Sequence, residues 1–174
     1  NIGFIAEWSR FAEAAGVDLH EIVAAIKQRP THANLMSPGI GVGGSCLPKD
    51  PVLASWASET FFGLPEGLET SLRAVEINDA MPVYAHAYFC HCMASFLRQP
   101  LKILLLGVSY GPGIADTRCS PVYSFAMKLL EDGHNLTYHD PYVAYWREMA
   151  VTVSTDLRGV LIVNIQRADC FTRL

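Results

Sequence analysis

The chain has 174 residues, 51% of them hydrophobic, which is enough to bury a core as one domain or two. Its 17 acidic against 13 basic residues give a net charge of −4 with no lysine and arginine cluster to track a phosphate backbone, so nucleic acid is not an expected partner. No apolar run is long enough to span a bilayer, no secretory signal opens the chain, and the five cysteines are an odd number, so reduced thiols, a cytoplasmic setting and no membrane partner are expected.

Helical spacing begins at once, with Ile2, Phe4, Ile5, Trp8, Phe11, Ala12 and Ala15, and the chain starts at Asn1 without a methionine. It is therefore expected to be part of a longer protein. Gly16 fits the end of this first helix, and Asp18 caps a second over Leu19 to Lys27 that Pro30 should terminate. A polar loop carrying Thr31, His32, Asn34, Ser37 and Pro38 follows, and the next helix is expected to open at Pro48 or Asp50 and run to about Thr60. Glu66 to Leu97 reads as one long helical stretch that Pro82 should kink or divide.

The style of the sequence changes at Arg98-Gln99-Pro100, where a boundary between two units is expected. Leu101 to Gly107 is an apolar run of strand length, followed by a polar loop, a helix from about Ser120 to Glu131 ended by Gly133, and a strand over Asn135 to His139. That is a βαβ unit, and Val151 to Ser154 and Val160 to Asn164 can add strands to a small doubly wound sheet. Its ligand is expected beyond the carboxyl ends of the strands.

The feature with chemical content is the run from Pro38 to Pro51, where Gly39, Gly41, Gly43 and Gly44 lead to Cys46 just before a helix. Glycines allow close backbone approach to a ligand, and a helix amino terminus with Lys49 nearby favours a thiolate, so Cys46 reads as a displayed nucleophile. A lone cysteine is otherwise a small buried hydrophobe. Asp50 lies one helical turn beyond Cys46 and can face the same pocket, or it can simply offset the helix dipole. Lys49 can stabilise the thiolate, touch a cofactor or stay solvated. The glycines follow Ser37-Pro38 instead of a strand, so they are not a dinucleotide fingerprint. Cys90 and Cys92 diverge in direction on a helix, and His32, His86 and His134 lack partners at ligand spacing, so no metal site is expected.

Gly43-Gly-Ser-Cys-Leu-Pro-Lys-Asp50 and the stretch Gly107 to Pro121, with Asn78-Asp79, Met81-Pro82 and His139-Asp140-Pro141 in the same order, resemble the UDP-glucose/GDP-mannose dehydrogenases. The resemblance covers nearly the whole chain. It implies an α plus α/β protein: residues 1–97 as an all-helical central dimerisation domain, and residues 98–174 as a Rossmann-like nucleotide-sugar-binding domain, whose quick passage from Asp156 to Val160 predicts a shortened end. It implies NAD as cofactor, a homodimer through the central helices, and oxidation of a UDP- or GDP-hexose to the uronic acid through a thiohemiacetal and a thioester.

By the same resemblance Cys46 is the nucleophile, Asp50 helps to activate the hydrolytic water and Lys49 assists. Cys46, Leu47, Pro48, Lys49 and Arg118 border NAD, and Asn34, Ser37, Pro38, Gly39, Ile40, Gly41, Val42 and Gly43 hold the sugar nucleotide. For Arg118 the alternative is a salt bridge with Asp116. Gly111 and Cys119 stand where the family commonly has lysine and glutamate. The NAD-binding domain would precede Asn1, so the chain alone is expected not to turn over. A non-catalytic dimerisation and nucleotide-sugar-binding module is the alternative reading.

Overall fold

The computed structural model describes residues 1–94, 100–149, 151–153, 161–164 and 171–173. Helix α1 (Ile2–Ala15) ends at Gly16, whose left-handed φ of 70° closes it. Helix α2 (Leu19–Lys27) starts on Asp18, whose carboxylate accepts from the His20 N–H at 2.7 Å. Pro30 opens a single 3-10 turn (Pro30–His32) beyond the helix it was expected to end. The buried side chains of this end, Ile5, Ala12, Leu19 and Val23, form a small core between α1 and α2.

Helix α3 (Cys46–Phe62) begins at Cys46 itself, earlier than the Pro48 or Asp50 start expected from sequence. Proline tolerates the first turn because the amide hydrogen it lacks has no intrahelical partner there. Helix α4 (Glu69–Cys92) runs without interruption through Pro82, which therefore does not divide it. Pro82 and its neighbour Met81 are buried, and tertiary packing on both sides offsets the lost hydrogen bond. The last residues of the expected helix and most of the expected boundary, 95–99, lie outside the described residues.

Strands β1 (Lys102–Leu106), β2 (Asn135–His139), β3 (Thr152–Val153), β4 (Leu161–Asn164) and β5 (Phe171–Arg173) form one sheet in the order β3-β2-β1-β4-β5. All neighbours are parallel except β4 and β5, which run antiparallel, and β5 was not expected. Helix α5 (Pro121–Glu131) crosses over from β1 to β2, and the Ser120 hydroxyl accepts from the Val122 N–H to cap it. The molecule is thus a helical part joined to a small, mostly parallel sheet, in agreement with the α plus α/β expectation.

One large buried cluster crosses that join. Ile103 and Leu105 from β1 meet Phe125, Ala126 and Leu129 from α5, and the cluster takes in Phe89 and Met93 from the end of α4 and Ile40 from the glycine-rich loop. Phe89 is fully buried, edge to face on Phe125 with ring centroids 6.3 Å apart. Five residues before Phe89 on α4, Tyr84 lies under Arg10 of α1, whose guanidinium is 4.9 Å from the ring centroid, and donates to Glu13. Burial and the Glu13 carboxylate push the Tyr84 phenol upward. Helix α4 is therefore the common wall of both parts.

Phe125→Ala is expected to lower stability by about 3–5 kcal/mol, because it opens a cavity beside Phe89 that the sheet cannot collapse into. Urea unfolding of the chain, followed by far-UV circular dichroism, measures the shift in midpoint.

Candidate active site

The candidate site forms where the glycine-rich loop lies against the end of β1. β1 is the central strand, between β2 and β4, and a crevice opens beyond its carboxyl end. The loop after β1 starts at Gly107, and Asp140 fastens it: one carboxylate oxygen accepts from the Val108 N–H at 2.9 Å and the Ser109 N–H at 3.3 Å, the other from the Tyr142 N–H at 2.9 Å. Burial alone would raise the Asp140 carboxyl, but these donors together with the Val143 N–H outweigh it and hold it below its ordinary value.

Asn78 of α4 fastens the other side. Its Oδ1 accepts from the Val42 N–H at 2.8 Å and its Nδ2 donates to the Val42 carbonyl at 2.9 Å, so one side-chain amide satisfies both backbone groups of a loop residue. Gly41, at φ 119°, lies so near that a Cβ there would stand 3.1 Å from the Asn78 carbonyl oxygen. A Cβ on Gly43 would overlap the carbonyl oxygen of Cys119, a residue that itself holds a left-handed φ of 53°. Glycine at 43 is thus required by the close approach of two backbones.

Between the loops lies a cavity of about 440 Å³ lined by Ser37, Pro38, Gly39, Ile40, Gly41 and Val42 on one side, and by Gly107, Ser109 and Tyr110 among others on the opposite side. Lys27 also faces it and donates to the Ser37 hydroxyl at 3.3 Å. Most of the residues expected to hold a sugar nucleotide are thereby brought together. Asn34 is not among the lining residues, and its carbonyl is bound by the Asn1 side chain at 2.8 Å. A second cavity of about 400 Å³ adjoins through Val42 and Pro121, with Pro48, Asn78, Asp79, Cys119 and Glu148 in its wall.

Cys46 is exposed as the first residue of α3, with the Ser45 hydroxyl 3.8 Å from its sulfur. The helix amino terminus favours negative charge there. Lys49 and Asp50 pair with each other at 2.8 Å, both 59% exposed. Hydrogen bonding and attraction from Asp50, with a smaller contribution from Cys46, raise the Lys49 ammonium. At such exposure the pair is worth little, so Asp50 can exchange Lys49 for water at small cost. Arg118 forks onto Asp116 at 2.7 to 3.1 Å and, with its own backbone N–H, holds the Asp116 carboxyl at about 2. The salt bridge weighed for Arg118 is thus the contact it makes.

Asn78, Tyr110 and Asp140 were not singled out as site residues. Asn78 and Asp140 lie in the motifs that carry the resemblance, but the loop backbone atoms they hold at Val42, Val108 and Ser109 are 31 to 36 residues away, which no local pattern reveals.

Residues 1–80 match the central domain of the UDP-glucose/GDP-mannose dehydrogenase family, and residues 104–171 match its UDP binding domain. The chain belongs to this family. The UDP-N-acetyl-D-mannosamine dehydrogenase of Pyrococcus horikoshii is 33% identical over 146 residues, which are 82% of this chain and 33% of that protein. The solved structure of UDP-D-ManNAc dehydrogenase from Pyrococcus horikoshii superposes with a TM-score of 0.70 at 29% identity, covering 94% of this chain and 38% of the other. That of the NDP-N-acetyl-D-galactosaminuronic acid dehydrogenase from Methanosarcina mazei Go1 reaches 0.79 at 23% identity, covering 95% and 37%, and supports the fold. The chain spans about a third of the length of the curated relatives it matches.

Asn78→Ala is expected to cost about 1–3 kcal/mol, the penalty for leaving the Val42 backbone groups without partners in a half-buried position; urea unfolding measures it. Because the Asp140 carboxyl is held below its ordinary value, its stabilisation is complete above the unfolded carboxylate pKa and is lost as pH falls through the lower folded value. In unfolding free energies measured against pH, Asp140→Asn should therefore be flatter across that acid window and less stable near neutrality.

Proposed function

We propose that this chain supplies the nucleotide-sugar pocket and the reactive thiol of an NAD-dependent nucleotide-sugar 6-dehydrogenase, acting on a UDP- or GDP-hexose to form the uronic acid for polysaccharide precursors. The observation that carries this reading is the cavity at the carboxyl end of β1, walled by the Ser37–Val42 loop, with an exposed Cys46 at a helix amino terminus a few residues along the same loop. Residues 1–97 serve as the central domain and residues 98–174 as the nucleotide-sugar-binding domain.

The nucleotide part lies on the loop after β1, where Asp140 keeps backbone amides in place, and the sugar reaches toward α3 past Gly43 and Gly44. NAD⁺, when bound, would supply the oxidant: a four-electron oxidation needs two NAD⁺ in turn, each taking one hydride. Cys46 performs the protein's share: its thiolate adds to the aldehyde carbon to give a thiohemiacetal, whose oxidation leaves a thioester, and water then expels the thiolate and yields the carboxylate. Asp50 takes the proton of that water once it leaves Lys49, and Lys49 offsets the thiolate charge. Cys46, Leu47, Pro48, Lys49 and Arg118 border the nicotinamide. Leu47 is 57% exposed and the Arg118 side chain 81% exposed, so both are accessible to a cofactor held from another unit, with Arg118 exchanging Asp116 for it.

Two exposed apolar surfaces favour a homodimer through the helical part. Phe4, Trp8 and Phe11 line one face of α1, and Trp56, Phe61 and Phe62 stand out from α3. No described helix is long and apolar enough to cross a membrane.

Calorimetry of the chain with UDP-hexoses and GDP-hexoses should show one site per chain, and the stronger of the two series names the base. Absence of affinity for either in folded protein overturns the reading. Joined to an NAD-binding unit, the Cys46→Ser enzyme should form no uronate and stall at the aldehyde level; unchanged uronate output removes Cys46 from the reaction.

A further inference from the structure

Away from the cavity, α4 presents His86 and Cys90 one helical turn apart, and Asp132 at the end of α5 meets them both. His86 Nε2 lies 2.7 Å from Asp132 Oδ2, Cys90 Sγ lies 3.6 Å from His86 Nε2, and Cys90 Sγ lies 3.8 Å from Asp132 Oδ2. These three donor atoms are the one such group among the described residues, all within 4.8 Å of each other. The expectation that His86 has no partner at ligand spacing is thereby corrected, since its partner Asp132 comes from a different helix. Cys92 takes no part, in keeping with the divergence expected of Cys90 and Cys92.

One hydrogen bond joins His86 to Asp132, and the Cys90 thiol donates a weak one to the same carboxylate oxygen, which completes the triangle. Burial and the Asp132 carboxylate push the Cys90 thiol up. The triangle has the dimensions of a coordination sphere. In a tetrahedral zinc site, Zn–S of about 2.3 Å and Zn–N of about 2.0–2.1 Å put sulfur and nitrogen about 3.6 Å apart. That is the observed separation of Cys90 and His86. Nitrogen and oxygen belong about 3.3 Å apart in such a site, so Asp132 needs to withdraw by about half an ångström. Its side chain is 41% exposed, which leaves room for that shift and for a water as fourth ligand.

We infer that His86, Cys90 and Asp132 form a site for one zinc-class divalent cation that clips α4 to the end of α5. Binding replaces the Cys90 S–H bond with a metal–sulfur bond and releases that proton to solvent. The site is independent of the proposed nucleotide-sugar pocket yet braces it. Asn78, about two turns before His86 on α4, holds the Val42 loop, and Pro121, the first residue of α5, lines the cavity. A cation joining the far ends of the two helices would fix the angle between the walls.

Cobalt(II) titration of the chain under argon tests this. We expect one cobalt per chain with a thiolate-to-cobalt charge-transfer band that zinc displaces, retained in the Cys92→Ser and Cys119→Ser chains and lost in Cys90→Ser. His86→Gln and Asp132→Asn should weaken binding at least about tenfold. No band, or a band that survives Cys90→Ser, overturns the inference. Alkylation mapped by mass spectrometry on the unaltered chain serves if the variants misfold: zinc should slow labelling of Cys90 at least about tenfold and leave Cys92 unchanged. Equal Cys90 rates with and without zinc overturn it.

Discussion

The approach of the glycine-rich loop to the end of β1 depends on backbone contacts that no side chain can replace. Where Gly43 meets the Cys119 carbonyl, any Cβ would push the two segments apart and widen the cavity between them. The loop is held in that position by the paired hydrogen bonds of Asn78 and by Ile40, which anchors it in the buried cluster shared with β1 and α5. Because Asn78 lies on α4 and α4 also sends Phe89 into the same cluster, loop, helix and sheet share one packed core. The shape of the crevice is a consequence of that packing.

Within this frame the charged groups divide by strength. Asp140 works through several backbone donors in a partly buried setting, where hydrogen bonds to an anion count for most, and it orders the loop that faces the cavity. Lys49 with Asp50 and Arg118 with Asp116 are exposed pairs of small net worth. Such pairs exchange partners readily, which suits residues proposed to meet a cofactor or a water in turn. Order is thus concentrated in neutral backbone contacts and one half-buried carboxylate, and adaptability lies at the surface beside Cys46.

Local signals were legible wherever the physics is local. Gly16 and Asp18 mark the end of one helix and the start of the next because a left-handed residue and a capping carboxylate act within a few positions. Asn135 to His139 was readable as a strand because a turn glycine precedes it and its partner β1 is a continuous apolar run. The reading failed where neighbours outvote local preference. Pro82 lies inside an unbroken helix because its surroundings bury it, and α3 starts at Cys46 because an orphan first-turn amide makes Pro48 harmless. Three residues of β5 carry too little pattern to announce a strand, and its pairing with β4 is a sheet-level event.

For the site itself, the amino-acid sequence alone determined the family, the order of the elements and the chemical types present: a cysteine displayed after glycines, a lysine and an aspartate beside it, and a loop with glycine at 39, 41, 43 and 44. Those follow from motif and spacing. Only the tertiary structure decided that Ser37 to Val42 faces the loop after β1, and that Asn78 and Asp140 are the side chains that hold the two walls. It also brought Asp132 to His86 and Cys90 across 42 or more residues of chain. The reason is physical: these contacts close long loops, their entropy cost is met by burial elsewhere in the core, and nothing in the intervening residues encodes which distant backbone atom will be there to receive the bond.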